Sequence, residues 1–314
     1  MTALRGDDLP PLLENGNRPP NFIGRVRDIW KYRELLGNLV RRELKVKYKD
    51  SILGFVWTLL NPLLYLVVFS IVFGLILGSE IPRYGLMLLS GLLAYNLFSV
   101  GLTAATTSIT ANGPLVQKVW FPREILPLAA IGANLITFFF QLVILAVGLA
   151  VFKQAPEWDM LWLTLPALVV TLLVGTGLGL LLSGLNVYYR DVQHFLELGL
   201  LTWFWLTPIV YPFQHVAQYF ADKGFPGGER FAMLNPMIAV VTTFQRVVYN
   251  PTNFSDQPEM IDNNFRLLLG PENNPHGSLW FLENLGVAAL IGIVFLLVGF
   301  KVFTRVEANL GEEL

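Results

Sequence analysis

Few residues in this sequence are spaced for catalysis or metal binding. The three histidines, His194, His215 and His276, lie far apart, and no H-E-x-x-H motif places two of them on one helical face. The chain has no cysteine, which excludes a thiolate metal site, a cysteine nucleophile and a disulfide framework. Neither G-x-S-x-G nor G-x-x-x-x-G-K-[ST] occurs. The sequence therefore predicts a chain that is not an enzyme and holds no metal or cofactor of its own.

Composition places the chain in the membrane class. Hydrophobic residues make up 54% of the 314 residues and charged residues 14%, whereas soluble domains carry roughly 25% charged residues. A net charge of −1 gives no reason to expect a nucleic-acid partner. The elements that position any functional residue are thus expected to be membrane helices.

Six segments meet or nearly meet the roughly 20 apolar residues that a spanning helix needs. They lie at about 55–78, 84–106, 125–152, 161–183, 195–211 and 280–303. The fifth is short and runs into Pro208 and Pro212, so we expect it to be broken or tilted. A further apolar stretch, Met237–Tyr249, is too short to span and predicts a re-entrant or interfacial helix.

Basic residues predict the orientation of these segments. Nine Lys and Arg residues lie in 25–54, and the other short loops on that side are richer in Lys and Arg than those opposite. Cytoplasmic flanks carry such an excess, so both termini are predicted to be cytoplasmic and the loop 212–279 extracytoplasmic. The polar, Pro-rich residues 1–21 are expected to form a disordered cytoplasmic tail rather than a signal peptide.

The segment 22–50 predicts an amphipathic helix that lies in the membrane interface. Apolar residues recur at helical spacing from Val26 to Leu44, and charged residues fill the other faces. Its last turns carry Arg41, Arg42, Glu43, Lys45 and Lys47. The segment serves either as a plain topological anchor or as a helix that also contacts a partner, with Gly54 as the joint to the first span.

Several motifs carry a resemblance to a known family. They are "RRELKVKYKDSILGFVWTLLNPLLYLVVFSIVFG", "NGPLVQKVWFPREILP", "LNVYYRDVQHF", "TPIVYP" and "LNPM", in this order. The chain resembles permease subunits of ABC-2 type exporters, in the branch that moves O-antigen, teichoic acid and capsular polysaccharides, and within it the permeases of actinobacterial galactan export. A long polar insert at about 251–278 departs from the family pattern and inherits no role from it.

The resemblance implies an all-α polytopic membrane protein, with six transmembrane helices over 51–314, an N-terminal interface helix and short extracytoplasmic gate helices. It implies a homodimer in the inner membrane that passes a lipid-linked polysaccharide. Two copies of a separate cytoplasmic ABC ATPase would bind ATP and Mg²⁺.

The resemblance also assigns roles to residues, each beside a plainer alternative. The loop after the second span would couple to the ATPase or merely anchor in the interface; its residues are Gln117, Lys118, Trp120, Phe121 and Arg123. Arg190 and Asp191 form a cytoplasmic gate or a solvated helix end. Aromatic residues of spans one and five line the channel or face lipid; they are Tyr65, Phe69, Phe73, Trp203 and Trp205.

Three other functions remain open at this point. An ABC-2 permease for a drug or small lipid would share most motifs, although the basic "RELKVKYK" string argues against it. A membrane-bound glycosyltransferase would need metal-binding acids or a catalytic histidine, which the sequence does not provide. A passive channel would not need a docking loop.

Overall fold

The chain folds almost entirely into helices. A computed structural model describes residues 22–47, 49, 51, 53–225, 227–270 and 277–307, and no strand occurs among them. This confirms the predicted all-α polytopic architecture. The expected disordered tail 1–21 lies outside the described residues.

Two helices rather than one precede the first long apolar segment. α1 covers Phe22–Lys31 and α2 covers Arg33–Lys47, with a break at Tyr32. Leu39 is the buried residue of α2, and it packs in an apolar cluster with residues of the long helices. Gly54 follows with a φ of +50° and open space around its Cα. A left-handed backbone at this point suits glycine. That Gly54 acts as a joint between α2 and the first long apolar helix stays a prediction.

In the part of the chain that the structure describes, five helices are long and apolar enough to cross a membrane. They are α3 (Trp57–Phe69, continued as a π-helix over Ser70–Ile76), α4 (Tyr84–Ala111), α6 (Ile125–Val151), α7 (Thr164–Tyr188) and α14 (Ser278–Glu307). The shorter helices are α5 (Gly113–Lys118), α8 (Val192–Trp205), α9 (Phe213–Asp222), α10 (Glu229–Ala232), α11 (Pro236–Phe244), α12 (Pro258–Asn264) and α13 (Arg266–Leu269).

α4 is the central helix of the bundle. It packs against α6 and α7, while α7 packs against α14 along most of its length. We compare the most apolar stretch of 18 residues in each helix. In α4, 83% of this stretch is buried, but in α3 only 11% is buried. The protein therefore leaves most of α3 uncovered, although α3 rests on α4 and α6.

The closest helix approach joins α7 and α14 through glycine. A Cβ added at Gly299 would collide with the carbonyl oxygen of Gly177, and one added at Gly177 would collide with the backbone of Phe295 and Leu296. Small residues allow such backbone contact between membrane helices. This contact sets the distance between the two helices.

The ends of the helices form two opposite surfaces. The basal end carries α1 and α2, the start of α6 and the end of α14, which meet where Arg25 contacts Glu124 and Glu307. The distal end carries the loops before α4 and α7 and the residues after α11, joined where Glu157 Oε2 accepts from Arg246 at 3.2 Å. The first described helix and the end of α14 therefore share one end of the bundle.

The fifth predicted segment is a helix of only 14 residues, α8. It is about 21 Å long, too short for a hydrocarbon core of about 30 Å, and it ends at Trp205, before Pro208 and Pro212. The segment nevertheless runs between the two ends: Tyr188 donates to the backbone of Val306 at the basal end, and Val210 accepts from Tyr84 at the distal end. The count of six membrane spans stays a prediction, with five helices of sufficient length observed.

The short apolar stretch after Asn235 lies inside the bundle. α11 and its π-helical continuation Gln245–Tyr249 are buried, and α11 packs against α4, α7 and α14. Backbone that does not span is tolerated at membrane depth only where protein or a cavity surrounds it. Of the two expected alternatives, this burial fits a re-entrant helix and not an interfacial one.

Candidate functional site

The loop after α4 presents a partly exposed basal surface. Gln117 and Lys118 end α5 with exposed side chains, and Trp120 is 72% exposed. Phe121 is 4% exposed and packs in the basal apolar cluster. The two aromatic residues of this loop thus differ in exposure. Phe121 anchors the loop because its ring is buried beneath it, whereas Trp120 stays exposed.

α1 and α2 are tied to this loop through side chains. The ring of Tyr32 meets that of Trp120 edge-on, with centroids 6.4 Å apart. Arg42 donates to the side chain of Asn112, the residue between α4 and α5, and to Glu43 at 3.0 Å. Arg41, Lys45 and Lys47 are exposed. The basic helix and the loop therefore form one continuous basal surface.

A buried ion cluster holds the same region together, and sequence reasoning did not identify it as a site. Arg25 of α1 contacts Glu124 at 2.6 Å and also Glu307 at the end of α14. Arg123 donates to the backbone carbonyl of Glu307 at 2.8 Å. The side chain of Glu124 is only 1% exposed, and its Oε2 has no hydrogen-bond partner in the structure. One arginine thus joins three separate elements.

Burial dominates the electrostatics of this cluster. It raises the pKa of Glu124, the nearby Glu307 raises it further, and Arg25 opposes both. Burial lowers the pKa of Arg25, but the two carboxylates outweigh it, so the net pKa of Arg25 is raised. A guanidinium stays protonated at any physiological pH. Glu124 is therefore a carboxyl group that burial makes harder to ionise.

Aromatic rings form a continuous row along α3, called here the ring ladder. Tyr65 and Phe69 have centroids 6.2 Å apart, Phe69 and Phe73 are 5.8 Å apart, and Phe73 stacks on Tyr84 at 4.2 Å. Spacing of four residues places the first three rings on one helical face. The structure therefore brings together the three aromatic residues of α3 that were expected to line a channel.

Each end of the ring ladder reaches a polar cavity. Tyr65 lines a cavity of about 200 Å³ between α3, α4 and α6, called here the inner cavity. Its polar lining is Lys47, Asn61, Asn96, Asn134, Thr137 and Gln141. Phe73 and Tyr84 line a cavity of about 440 Å³ at the distal end, called here the distal cleft. Polar groups at membrane depth usually mark a substrate or ion pathway.

The two tryptophans of α8 do not join the ring ladder. Trp203 packs edge-on against Phe98 at 5.0 Å and donates from Nε1 to Asn235 at 2.7 Å, so it supports the bundle interior. Trp205 is 58% exposed on the outside of α8. Among the described ring contacts, none links Trp203 or Trp205 to the rings of α3. Arg190 and Asp191 are exposed just before α8.

Asn235 of "LNPM" connects α8 to α11. Its Oδ1 accepts from the backbone N–H of Met237 at 3.1 Å, which caps α11, and also from Trp203. Its Nδ2 donates to Thr207 Oγ1 at 3.2 Å. The asparagine thus fixes the start of the re-entrant helix to the end of α8.

The described residues include no group of three or more His, Cys, Asp or Glu side chains placed to hold a metal ion. The features present are a basal surface, a buried ion cluster and a row of rings between two polar cavities. This arrangement suits movement of a molecule through the bundle better than a reaction on it.

The model of one protein family, "ABC-2 type transporter", matches residues 34–222, which is more than half of the chain. The chain belongs to the ABC-2 type transporter family. The resemblance to ABC-2 type transporters, drawn from the sequence motifs, is thereby confirmed. The match runs from α2 into α9, and so it includes the basal loop, the ring ladder and the inner cavity.

Curated relatives of this ABC-2 transporter are export proteins. It is 34% identical over 230 residues to the O-antigen export system permease protein RfbA of Myxococcus xanthus, covering 73% of this chain and 85% of the relative. It is 26% identical to the protein of the same name from Klebsiella pneumoniae, over 90% of this chain and 95% of the relative. The polysialic acid transport protein KpsM of Escherichia coli is 23% identical, over 67% and 79%.

Proposed function

We propose that this ABC-2 transporter is the permease subunit of an exporter that moves a lipid-linked polysaccharide across the inner membrane. The names of the curated relatives, O-antigen export permeases and a polysialic acid transport protein, support this substrate class. Within the class, a galactan or teichoic-acid-like polymer fits the resemblance of the motifs equally well.

The observation that carries the proposal is the ring ladder between two polar cavities. Sugars present hydroxyl groups at their edges and apolar C–H patches on their faces, so a polymer of them needs both polar groups and flat rings along its path. Tyr65 borders the inner cavity and Phe73 the distal cleft. The uncovered face of α3 would form half of a channel at the interface of a homodimer, with the second copy providing the other half.

The energy for transport would come from a separate chain. This sequence contains no G-x-x-x-x-G-K-[ST] phosphate loop, so two copies of a cytoplasmic ABC ATPase would bind ATP and Mg²⁺. The basal surface, with Gln117, Lys118 and Trp120 exposed, is the proposed docking site. Phe121 and Arg123 would hold the loop in place from inside, through the apolar cluster and the end of α14.

The basal end would face the cytoplasm. Its basic helix α2 carries Arg41, Arg42, Lys45 and Lys47, in agreement with the excess of positive charge on cytoplasmic flanks. Arg190 and Asp191 would lie at the cytoplasmic entrance. α9 to α11 would form the extracytoplasmic gate.

Depletion of the protein in its source cells tests the proposal. We expect lipid-linked polysaccharide to accumulate on the cytoplasmic leaflet while polysaccharide at the cell surface declines. An ABC ATPase should co-purify with the tagged permease. Unchanged surface polysaccharide after depletion would refute the substrate class. If the depleted cells instead export less of a drug or small lipid, that result would favour the alternative permease function.

A further inference from the structure

We propose that the distal cleft is a binding subsite for a neutral sugar unit of the exported polymer, and that residues 251–270 of the polar insert complete it. The inference rests on the proposed function, which supplies the substrate class. The cleft lies between the end of α3, the start of α4, α9 and α12. Its volume of about 440 Å³ falls within the range of about 300–1,000 Å³ for small-molecule sites.

The polar lining suits hydroxyl groups. It consists of Ser79, Glu80, His215, Gln218, Asn263 and Asn264. A sugar hydroxyl both donates and accepts hydrogen bonds. Side-chain amides offer both functions, a carboxylate accepts two or more hydrogen bonds, and a neutral imidazole donates from one nitrogen and accepts at the other. This lining can therefore pair several hydroxyls of one ring at once.

Charge selects a neutral ligand. Glu80 brings a carboxylate to the lining, and the described residues of the lining include no Lys or Arg. A phosphate or an acidic sugar would meet uncompensated like charge at Glu80, which is unfavourable. Metal binding is also disfavoured because, in the part of the chain that the structure describes, no three metal-ligating side chains cluster. A neutral polyhydroxy ring fits these constraints.

Flat rings cover the apolar side of the cleft. Phe73 and Tyr84 stack with centroids 4.2 Å apart and an interplanar angle of 13°. Tyr84 is fixed because its hydroxyl donates to the backbone of Val210. The stacked pair is the last step of the ring ladder. A polymer that follows the ladder therefore reaches the cleft at its distal end.

Residues 251–270 of the insert are packed against the bundle and hold two of the lining amides. Phe265 is fully buried, with its ring centroid 5.7 Å from that of Tyr249, and the backbone N–H of Leu267 donates to Gln214 of α9 at 2.8 Å. The second contact ties α13 to α9, and α12 also packs against α9. Asn264 is buried and donates to the carbonyl of Met260, while Asn263 is exposed at the cleft. The insert follows the part of the chain that matches the family model.

The cleft would bind sugar without cleaving it. Glycoside hydrolysis uses two carboxyl groups about 5–9.5 Å apart on either side of the scissile bond. Among the described residues, Glu80 is the single carboxylate that lines the cleft. The subsite would hold the emerging chain and favour its forward movement.

A binding experiment on the full chain in lipid nanodiscs tests the subsite. The probes are oligosaccharides of two to six units, freed of lipid by partial acid hydrolysis of the surface polysaccharide of the source cells. Calorimetric titration measures the dissociation constant for wild type, Glu80→Gln and Asn263→Ala. We expect each substitution to weaken binding about tenfold, because Glu80→Gln replaces charge-assisted hydrogen bonds with weaker neutral ones and Asn263→Ala removes an amide partner of the sugar.

Two exposed residues of the same insert, but outside the cleft lining, provide matched controls. Glu259→Gln removes a carboxylate and Gln257→Ala removes an amide, and both should bind like wild type. Wild-type protein that binds no oligosaccharide, or binding that Glu80→Gln and Asn263→Ala leave unchanged, would overturn the subsite. Depletion of the protein tests export separately, so the subsite can fail while the proposed function stands.

Discussion

Arg25 is the residue on which the basal end depends most. It lies 99 positions before Glu124 and 282 before Glu307 in the sequence, yet it contacts both. An ion pair of this kind is costly to break because the remaining charge stays buried without a partner. Without Arg25, the Glu124 carboxylate would be such a charge, since its side chain is almost fully buried.

Arg25→Met should destabilise the protein by about 3–5 kcal/mol. The apolar side chain leaves the charge of Glu124 uncompensated, and adding Glu124→Gln should restore part of the loss. Thermal unfolding in detergent measures the effect. Arg27→Met alters an exposed arginine of the same helix and should leave the midpoint unchanged. An equal loss in both variants would show that α1 lacks a specific ionic contact.

The raised pKa of Glu124 predicts a pH dependence of stability. The folded state holds its proton at a pH where the unfolded state has released it, so stability falls as pH rises above the ordinary value near 4.5. The fall ends once the carboxyl is ionised in both states. Arg25→Met removes the opposing charge and should steepen this fall, and Glu124→Gln should flatten it. Unfolding midpoints measured from pH 4.5 to 8 check both slopes.

At the scale of the elements, contacts between glycine backbones and one asparagine determine how the helices meet. Gly177 and Gly299 allow α7 and α14 to touch, and Asn235 fixes α11 to α8. Both the glycine contact and the hydrogen bonds of Asn235 join segments that are far apart in the chain. The glycine contact joins two long helices, and Asn235 joins the re-entrant segment to the end of α8.

Gly299→Ala should disrupt the α7–α14 contact. The new Cβ would collide with the backbone carbonyl of Gly177, and neither backbone can move aside without separating the helices. Gly286→Ala is the matched control in α14, because nothing lies within 4 Å of its added Cβ. Thermal midpoints and yields of folded protein should fall for Gly299→Ala only. Equal behaviour of the two variants would contradict the close approach.

Asn235→Ala should cost about 1–3 kcal/mol. It removes the cap of α11, which is worth about 0.5–2 kcal/mol, and leaves the indole N–H of Trp203 without its acceptor. Asn38→Ala, at an exposed position of α2, serves as the control and should change the unfolding free energy little. Denaturation monitored by tryptophan fluorescence reports on both. A near-neutral Asn235→Ala would show that the cap does not hold the re-entrant helix.

Some of these contacts can be predicted from the sequence and others cannot. Spacing of four residues identifies Tyr65, Phe69 and Phe73 as one face, because that relation is local to a single helix. The ion pair of Arg25 with Glu307 depends on how distant segments pack. The same is true of Glu80 and Asn263, which line one cleft. Trp203 and Phe121 show the same limit, since an aromatic residue in an apolar segment packs inward or outward according to its neighbours in space.

For the whole molecule, the distribution of exposed surface follows the proposed assembly. α3 is the least covered of the long helices, and Trp120 extends from the basal end. A homodimer would cover or enclose the first surface, and an ATPase would cover the second. The first contact can be tested by the accessibility of α3 to a labelling reagent, and the second by the effect of Trp120 on ATP hydrolysis.

Single cysteines should report whether the ring ladder faces a water-filled path. The chain has no cysteine of its own, so each variant carries one defined thiol. Tyr65→Cys should react with a membrane-impermeant maleimide during ATP turnover, whereas Val147→Cys on the exposed face of α6 should stay protected by lipid. Labelling of purified transporter in proteoliposomes gives the rates. Equal protection of both thiols would place α3 against lipid.

Trp120→Ala should uncouple the ATPase from the permease. Loss of the exposed indole removes contact area at the basal surface, and aromatic residues of this kind are frequent binding hot spots. We expect ATP hydrolysis by the co-purified complex to lose its response to the permease. Trp158→Ala, a similarly exposed tryptophan near the distal end, is the control and should not change hydrolysis. The same effect from both would argue against basal docking.

Gly54 and Gly78 give α3 an unusual mechanical freedom. Both have positive φ, +50° and +59°, and no atom lies within 4 Å of the Cβ that either lacks. α3 thus lies between two glycines whose backbones can rotate without a clash, and it rests on α4 and α6 with most of its surface uncovered, whereas α4 is buried among the other helices. We expect α3 to tilt as a rigid helix about these two glycines. The tilt would widen the space beside the ring ladder and leave the packing of the other helices unchanged. Faster hydrogen exchange of α3 than of α4 would measure this freedom.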